Sequence, residues 1–208
     1  AAERLSSTGA IPGNQILGIY TNNSPGVSGG MWERVKAVSD LDEALETEEN
    51  VEQYFIKAWK IFKQTDQLTV FAKLFGLRVF EKNLSQKSKK IAADLLLLTN
   101  NFKLTGSYWS SNDIRFGLIT DDFSKVTALN ETERTILKVF SDPSVPFLVE
   151  QKLNQGKLGE VILNSLLQFE TGIEGNLKDF SESLSTLNLI GLGTTARRAA
   201  LTHLVIKK

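Results

Sequence analysis

The polar residues with the best claim to chemistry sit close together in one loop region: Asp113, Arg115, Asp121 and Asp122. Neighbouring carboxylates can divide acid and base roles when their surroundings push their proton affinities apart, and an arginine can hold an anionic substrate. The spacing matches neither a calcium loop nor a hydrolase signature. A second candidate is Thr194, Arg197 and Arg198. If Thr194 caps a helix that follows a loop, free backbone N–H groups and two guanidinium groups would gather at one anion-binding end. The stretch from Gly191 to Ala196 also has the form Gly-x-Gly-x-x-Ala. A dinucleotide turn needs a preceding strand, a second strand and an acidic residue about 20 positions on. Only twelve residues follow Ala196. No cofactor is therefore expected.

Other chemistries are removed by composition. The chain of 208 residues has no cysteine and a single histidine, His203. That excludes thiol nucleophiles, zinc–thiolate sites and any multi-histidine metal centre within one chain. His203 lies among Ala200, Leu201 and Leu204 and reads as a packing residue, and no metal site or catalytic residue is assigned. The 24 basic and 24 acidic groups cancel, which disfavours a surface built wholly for nucleic acid.

Charge is nonetheless segregated. Residues 1–52 carry a net −6, residues 53–103 a net +7 and residues 104–208 a net −1. An acid run of Asp40, Asp42, Glu43, Glu46, Glu48, Glu49 and Glu52 precedes Lys57, Lys60 and Lys63, with Lys87, Lys89 and Lys90 further on. Two uses follow: internal compensation between neighbouring helices, or a basic face for an acidic protein or peptide. Tyr108 and Trp109, with Phe116, form an aromatic cluster suited either to the core or to a binding hot spot.

The elements that must position these groups read as helices. Val51, Tyr54, Phe55, Ala58 and Phe62 recur at steps of three and four, as do Leu158, Val161, Ile162, Leu166 and Phe169. Similar spacing covers 67–75, 86–99, 132–140, 173–187 and 194–206. Asn130 with Glu133 has capping-box form, and Asn176 with Asp179 a weaker version. Gly76, Gly156, Gly172 and Gly191 are expected at or near helix ends. Pro143 and Pro146 interrupt the helix after Phe140. Residues 107–120 read better as the end of a short helix over 103–110 and a second helix capped by Asn112 or Asp113 than as a hairpin. Residues 22–30 read as loop, and 1–21 as two short helices or an arm.

Local patterns at Gly9-Ala10-Ile11, Asn101-Phe102 and Gly191-Leu192, each followed by a small residue that lets helices approach, resemble the helical-hairpin grammar of tetratricopeptide-like or HEAT-like solenoids. No fixed period is sustained. That resemblance implies stacked helix pairs exposing one extended surface to proteins or peptides.

The expectation is one all-α domain over 1–208, a bundle of short antiparallel helical hairpins or a short irregular α-solenoid. It would serve as a noncatalytic interaction or assembly module. The alternatives are a helical enzyme built on Asp113, Asp121 and Asp122, and a structural subunit of a viral or secretion-type assembly. The longest apolar runs fall far short of the roughly 20 residues that cross a bilayer. Compartment is open between the cytoplasm and export after processing.

Overall fold

In a computed structural model of the chain, residues 2–8, 10–22, 31–144 and 146–206 are described. They are all-helical, with no strand among them. The Gly9 and 23–30 parts of the expected loops lie outside the described residues, while Asn22 closes a helix. The sequence expectation treats 1–208 as one domain; the chain divides into two compact units, Ala1–Phe102 and Lys103–Lys208.

The first unit contains α1 (Ala2–Ser7), α2 (Gly13–Asn22), α3 (Met31–Thr47), α4 (Val51–Gln64), α5 (Leu68–Phe80) and α6 (Gln86–Leu97). Short turns fold α3 onto α4 and α5 onto α6. The α4 stripe works as its spacing dictates, burying Phe55, Ala58 and Phe62. These meet a run of rings: Tyr20 edge-on to Phe62, then Phe62, Phe71 and Phe75 with centroids 5.0 and 5.6 Å apart. Burial, and then the hydrogen bond donated to the Glu3 carboxylate, raise the Tyr20 hydroxyl above its ordinary proton affinity. The α3 helix, legible in sequence only as the start of an acid run, buries Val35, Val38, Leu41 and Leu45 at helical spacing. Gly76 does not end α5 but lies inside it, buried. A Cβ built there would meet Thr99 Cγ2 at 3.4 Å and Leu96 Cδ1 at 3.7 Å, so the missing side chain lets α6 approach.

The second unit follows a 3₁₀ turn (Phe102–Thr105) with α7 (Ile114–Thr120), α8 (Glu131–Ser141), α9 (Phe147–Asn154), α10 (Leu158–Ile173), α11 (Leu177–Leu187), a π turn (Asn188–Leu192) and α12 (Gly193–Ile206). Residues 107–120 hold no strand: Asp113 caps α7 as the favoured reading has it, while the expected first short helix is reduced to the 3₁₀ turn that ends at Thr105. The α8 cap is a capping box with one shift: Asn130 Oδ1 accepts from Glu133 N at 2.9 Å, and Glu133 reaches back to the N–H of Leu129 rather than that of Asn130. Ile173 ends α10 instead of opening α11, because Asn176 accepts from the N–H groups of Lys178 and Asp179 and so fixes the next start. The α11 helix is central: it packs against α8, α10 and α12 and buries Phe180, Leu184 and Leu187 together with Ser183, Ser185 and Thr186.

The α10–α11 pair is unusually close, and small residues make it so. Ser165 Oγ donates to the Ser183 carbonyl at 3.1 Å, while Ser183 Oγ donates to the Ser165 carbonyl at 2.8 Å. A Cβ on Gly172 would lie 2.6 Å from both N and Cα of Phe180. That glycine, next to the last residue of α10 and so near a helix end as expected, is therefore also a point of helix contact. The consequence is testable in urea. Gly172→Ala should destabilise the chain by about 1–3 kcal/mol, because backbone cannot yield as a flexible side chain does. Gly159→Ala in the same helix, where a Cβ meets nothing within 4 Å, should leave stability unchanged or raise it by up to about 1 kcal/mol.

Candidate functional site

The three acidic candidates are not gathered into one centre. Asp113 caps α7, accepting from Arg115 N at 2.8 Å, and both its oxygens take the Arg115 guanidinium, at 3.0 and 3.1 Å. That guanidinium lies over the Trp109 ring, with Cζ 4.6 Å from its centre. Asp121 stands at the opposite end of α7 in left-handed conformation and pairs with Arg197 at 2.7 Å. Asp122 accepts from the N–H and hydroxyl of Ser124, which hold its carboxyl below the usual range. Each carboxylate serves a different local contact.

Trp109 is buried and meets Tyr108 edge-on at 5.0 Å, which places the cluster's larger ring in the core. Thr194 is not the cap of the last helix but lies inside its first turn. The helical path from α11 breaks at Gly191, whose φ of 85° is non-helical, as its expected place at a helix end has it, and α12 begins at Gly193. Arg197 is spent on Asp121, Arg198 is exposed on the same helix, and Thr194 is exposed in its first turn. His203 is buried with its ring 4.6 Å from that of Phe180. It lines a cavity of about 140 Å³ with Phe169, Ile173, Thr202 and Ile206.

Within the first unit the two blocks of charge find each other. Lys57 reaches Asp40 at 3.3 Å, Arg78 reaches Asp42 at 2.6 Å and Lys82 pairs with Glu48. Glu52 of α4 accepts from both serine hydroxyls and the Ser85 N–H at the start of α6. The Ser85 hydroxyl, with the Ser88 hydroxyl and the Ser85 N–H, holds the Glu52 carboxyl below its ordinary value. Lys89 donates to the Phe80 and Lys82 carbonyls at the end of α5 and lies over the Phe80 ring. Lys63 lies over Trp59. Lys60, Lys87 and Lys90 are exposed. A cleft of about 810 Å³ opens beside Glu48, Glu52, Glu81 and Lys82. Its two shifted carboxyls, Glu48 beside Lys82 and Glu52 beside the serines, are both stabilised as anions.

The feature that sequence reading misplaces lies on α10. The expected inward stripe includes Leu158 and Leu166, yet both are exposed, and the buried residues are Val161, Ser165 and Gly172. The correction follows from packing. Leucines extend beyond the expected stripe at 163 and 167, so periodicity leaves the inward direction broad, whereas only the side bearing Ser165 and Gly172 can approach α11 so closely. Leu163, Leu166 and Leu167 are left outward at 58, 52 and 54% exposure. On α9, which packs against α10, Phe147 and Leu148 are 75 and 66% exposed. Single exposed leucines are ordinary; five large apolar side chains exposed on two helices that pack together are more than that.

No family model, curated protein or solved structure matches this chain.

Two outcomes follow. Leu163→Gln and Leu166→Gln should each change the unfolding free energy by less than about 0.5 kcal/mol, while Val161→Ala should cost about 1–3 kcal/mol; equal losses at all three positions would contradict the outward face. Glu52→Gln should lower the urea midpoint at pH 7. A carboxyl depressed in the folded state stabilises above its unfolded value, and that contribution disappears as pH falls through the folded value. The gap between Glu52→Gln and the parent should therefore be full above the ordinary 4.5 and close under more acid conditions.

Proposed function

We propose that this chain is a noncatalytic protein-docking or assembly module, and that its contact surface is the apolar face of α9 and α10. One observation carries the reading: Leu163, Leu166 and Leu167, with Phe147 and Leu148 on the neighbouring helix, stand in solvent. Chain folding has not covered them. Burying such a face in a complex removes apolar area from water at roughly 25 cal/mol per Å², offset by the cost of association.

The other candidates have local work that competes with a separate role. Asp113, Asp121 and Asp122 are held by Arg115, Arg197 and Ser124, an arrangement that supports structure at both ends of α7 over shared acid–base chemistry. The basic series is drawn on by Asp40 and by the end of α5 through Lys57 and Lys89. An acidic partner on Lys60, Lys87 and Lys90 is accordingly the weaker docking reading.

A photo-activated cross-linking side chain at position 166, compared with one at position 60, tests the choice in extract of the native source. Position 166 should yield an adduct of one fixed mass, lost when Leu163 is changed to Glu. Adducts from position 60 alone would move docking to the lysines, and adducts from neither would remove the docking reading. Light scattering of the captured complex then reports whether the stoichiometry is that of a pair or of a larger assembly.

A further inference from the structure

Charges around the leucine face restrict what can cover it. Glu170 follows Leu163, Leu166 and Leu167 at helical steps and sits on the same side of α10, with Glu174 four residues further. Glu150 stands three residues after Phe147 on α9, again on one side. All three carboxylates are exposed, and none forms an ion pair with a described residue. Glu160, at the other end of the face, is paired with Lys152 at 2.9 Å. Lys157 is exposed too, but it precedes α10 and lies six residues, about 9 Å along the axis, before Leu163. The apolar strip is thus bordered by unpaired negative charge.

That border decides between occupants. A second copy would bring the same unpaired Glu150, Glu170 and Glu174 and add net negative charge to the interface. Like charges across an interface are unfavourable. An anionic membrane surface meets the same repulsion. Helix-in-groove recognition instead reads apolar anchors at i, i+3, i+4 and i+7, and flanking charge sets which helix is accepted. Resting on the docking role proposed above, we infer that the α9–α10 face receives an amphipathic helix whose apolar stripe is flanked by lysine or arginine. Its leucine-sized anchors lie on Leu163, Leu166 and Leu167, and its basic flanks meet Glu150, Glu170 and Glu174.

The test uses the full chain and three synthetic 18-residue peptides, followed by fluorescence anisotropy. One carries leucines at helical spacing with lysines elsewhere, the second has the same leucines with glutamates, and the third is the first in scrambled order. The leucine–lysine peptide should bind at least tenfold more tightly than either of the others, and more weakly at high salt. Leu166→Gln should weaken it at least tenfold, and Glu170→Lys with Glu174→Lys should shift preference toward the glutamate peptide. These positions are exposed, so circular dichroism should confirm unchanged folding. Equal binding of the scrambled peptide would overturn the inference by reducing it to bulk charge. Equal or tighter binding of the glutamate peptide would overturn the charge class while leaving the docking face standing. If no peptide binds, the inference fails, and if Leu163→Glu also leaves the adduct at position 166 unchanged, the docking role fails with it. Self-association in sedimentation that Leu166→Gln abolishes would assign the face to a second copy, and retention by anionic lipid vesicles would assign it to a membrane; either overturns the inference.

Discussion

The second unit depends on how closely two helices can come together. Ser165 and Ser183 exchange hydrogen bonds with each other's backbone, and Gly172 faces the backbone of Phe180 without a side chain between them. Each hydrogen bond contributes on the order of 1 kcal/mol net, but the geometry matters more than the sum. Close approach commits the small-residue side of α10 to α11. A helix whose leucines extend beyond the expected stripe has then spent its inward face, and leucines remain on the outward one. The exposed surface is a consequence of the contact behind it, reached from sequence through packing.

The first unit is held in a different way. A run of phenyl rings from Phe55 through Phe75 fills the core, and acidic and basic segments that look opposed in sequence meet as inter-helix pairs. Exposed pairs such as Lys57–Asp40 are worth little individually. Together with Glu52 on Ser85 and Ser88 they give the charge segregation a local purpose, which weakens the case for an acidic partner. The same reasoning applies to Arg115, whose guanidinium is shared between the Asp113 carboxylate and the Trp109 ring. Arg–Asp geometry and ring stacking make it a fastening between a turn and a helix.

Legibility in the sequence varied with how much contrast each segment carried. Lysines at 57, 60 and 63 mark the wet side of α4, so its dry side was plain. Asn130 and Asn176 announced helix starts because a capping side chain is a local signal. The α3 helix was hidden by its own acids, although Val35, Val38, Leu41 and Leu45 carried the period. On α10 the expected stripe was right in part: Val161 is buried and Ile162 and Phe169 half-buried, but Leu158 and Leu166 are exposed; the overlooked signal was the pair of small residues Ser165 and Gly172, seven apart and so on one side. Gly76 looked like a helix end because glycine serves both as a turn and as a place for close approach. The candidate surface was not legible as a site at all, since an exposed leucine and a buried one are identical until a neighbour is known.

The chain's lack of cysteine allows the orientation of α10 to be measured directly. Single cysteines placed at 161, 163, 165, 166 and 167 would be labelled with a maleimide, each rate set against its own unfolded chain. Rates near the unfolded reference at 163, 166 and 167, with strong protection at 161 and 165, are the predicted pattern. Protection at 166 with rapid labelling at 165 would show the helix turned the other way and would contradict the origin assigned to its leucine face.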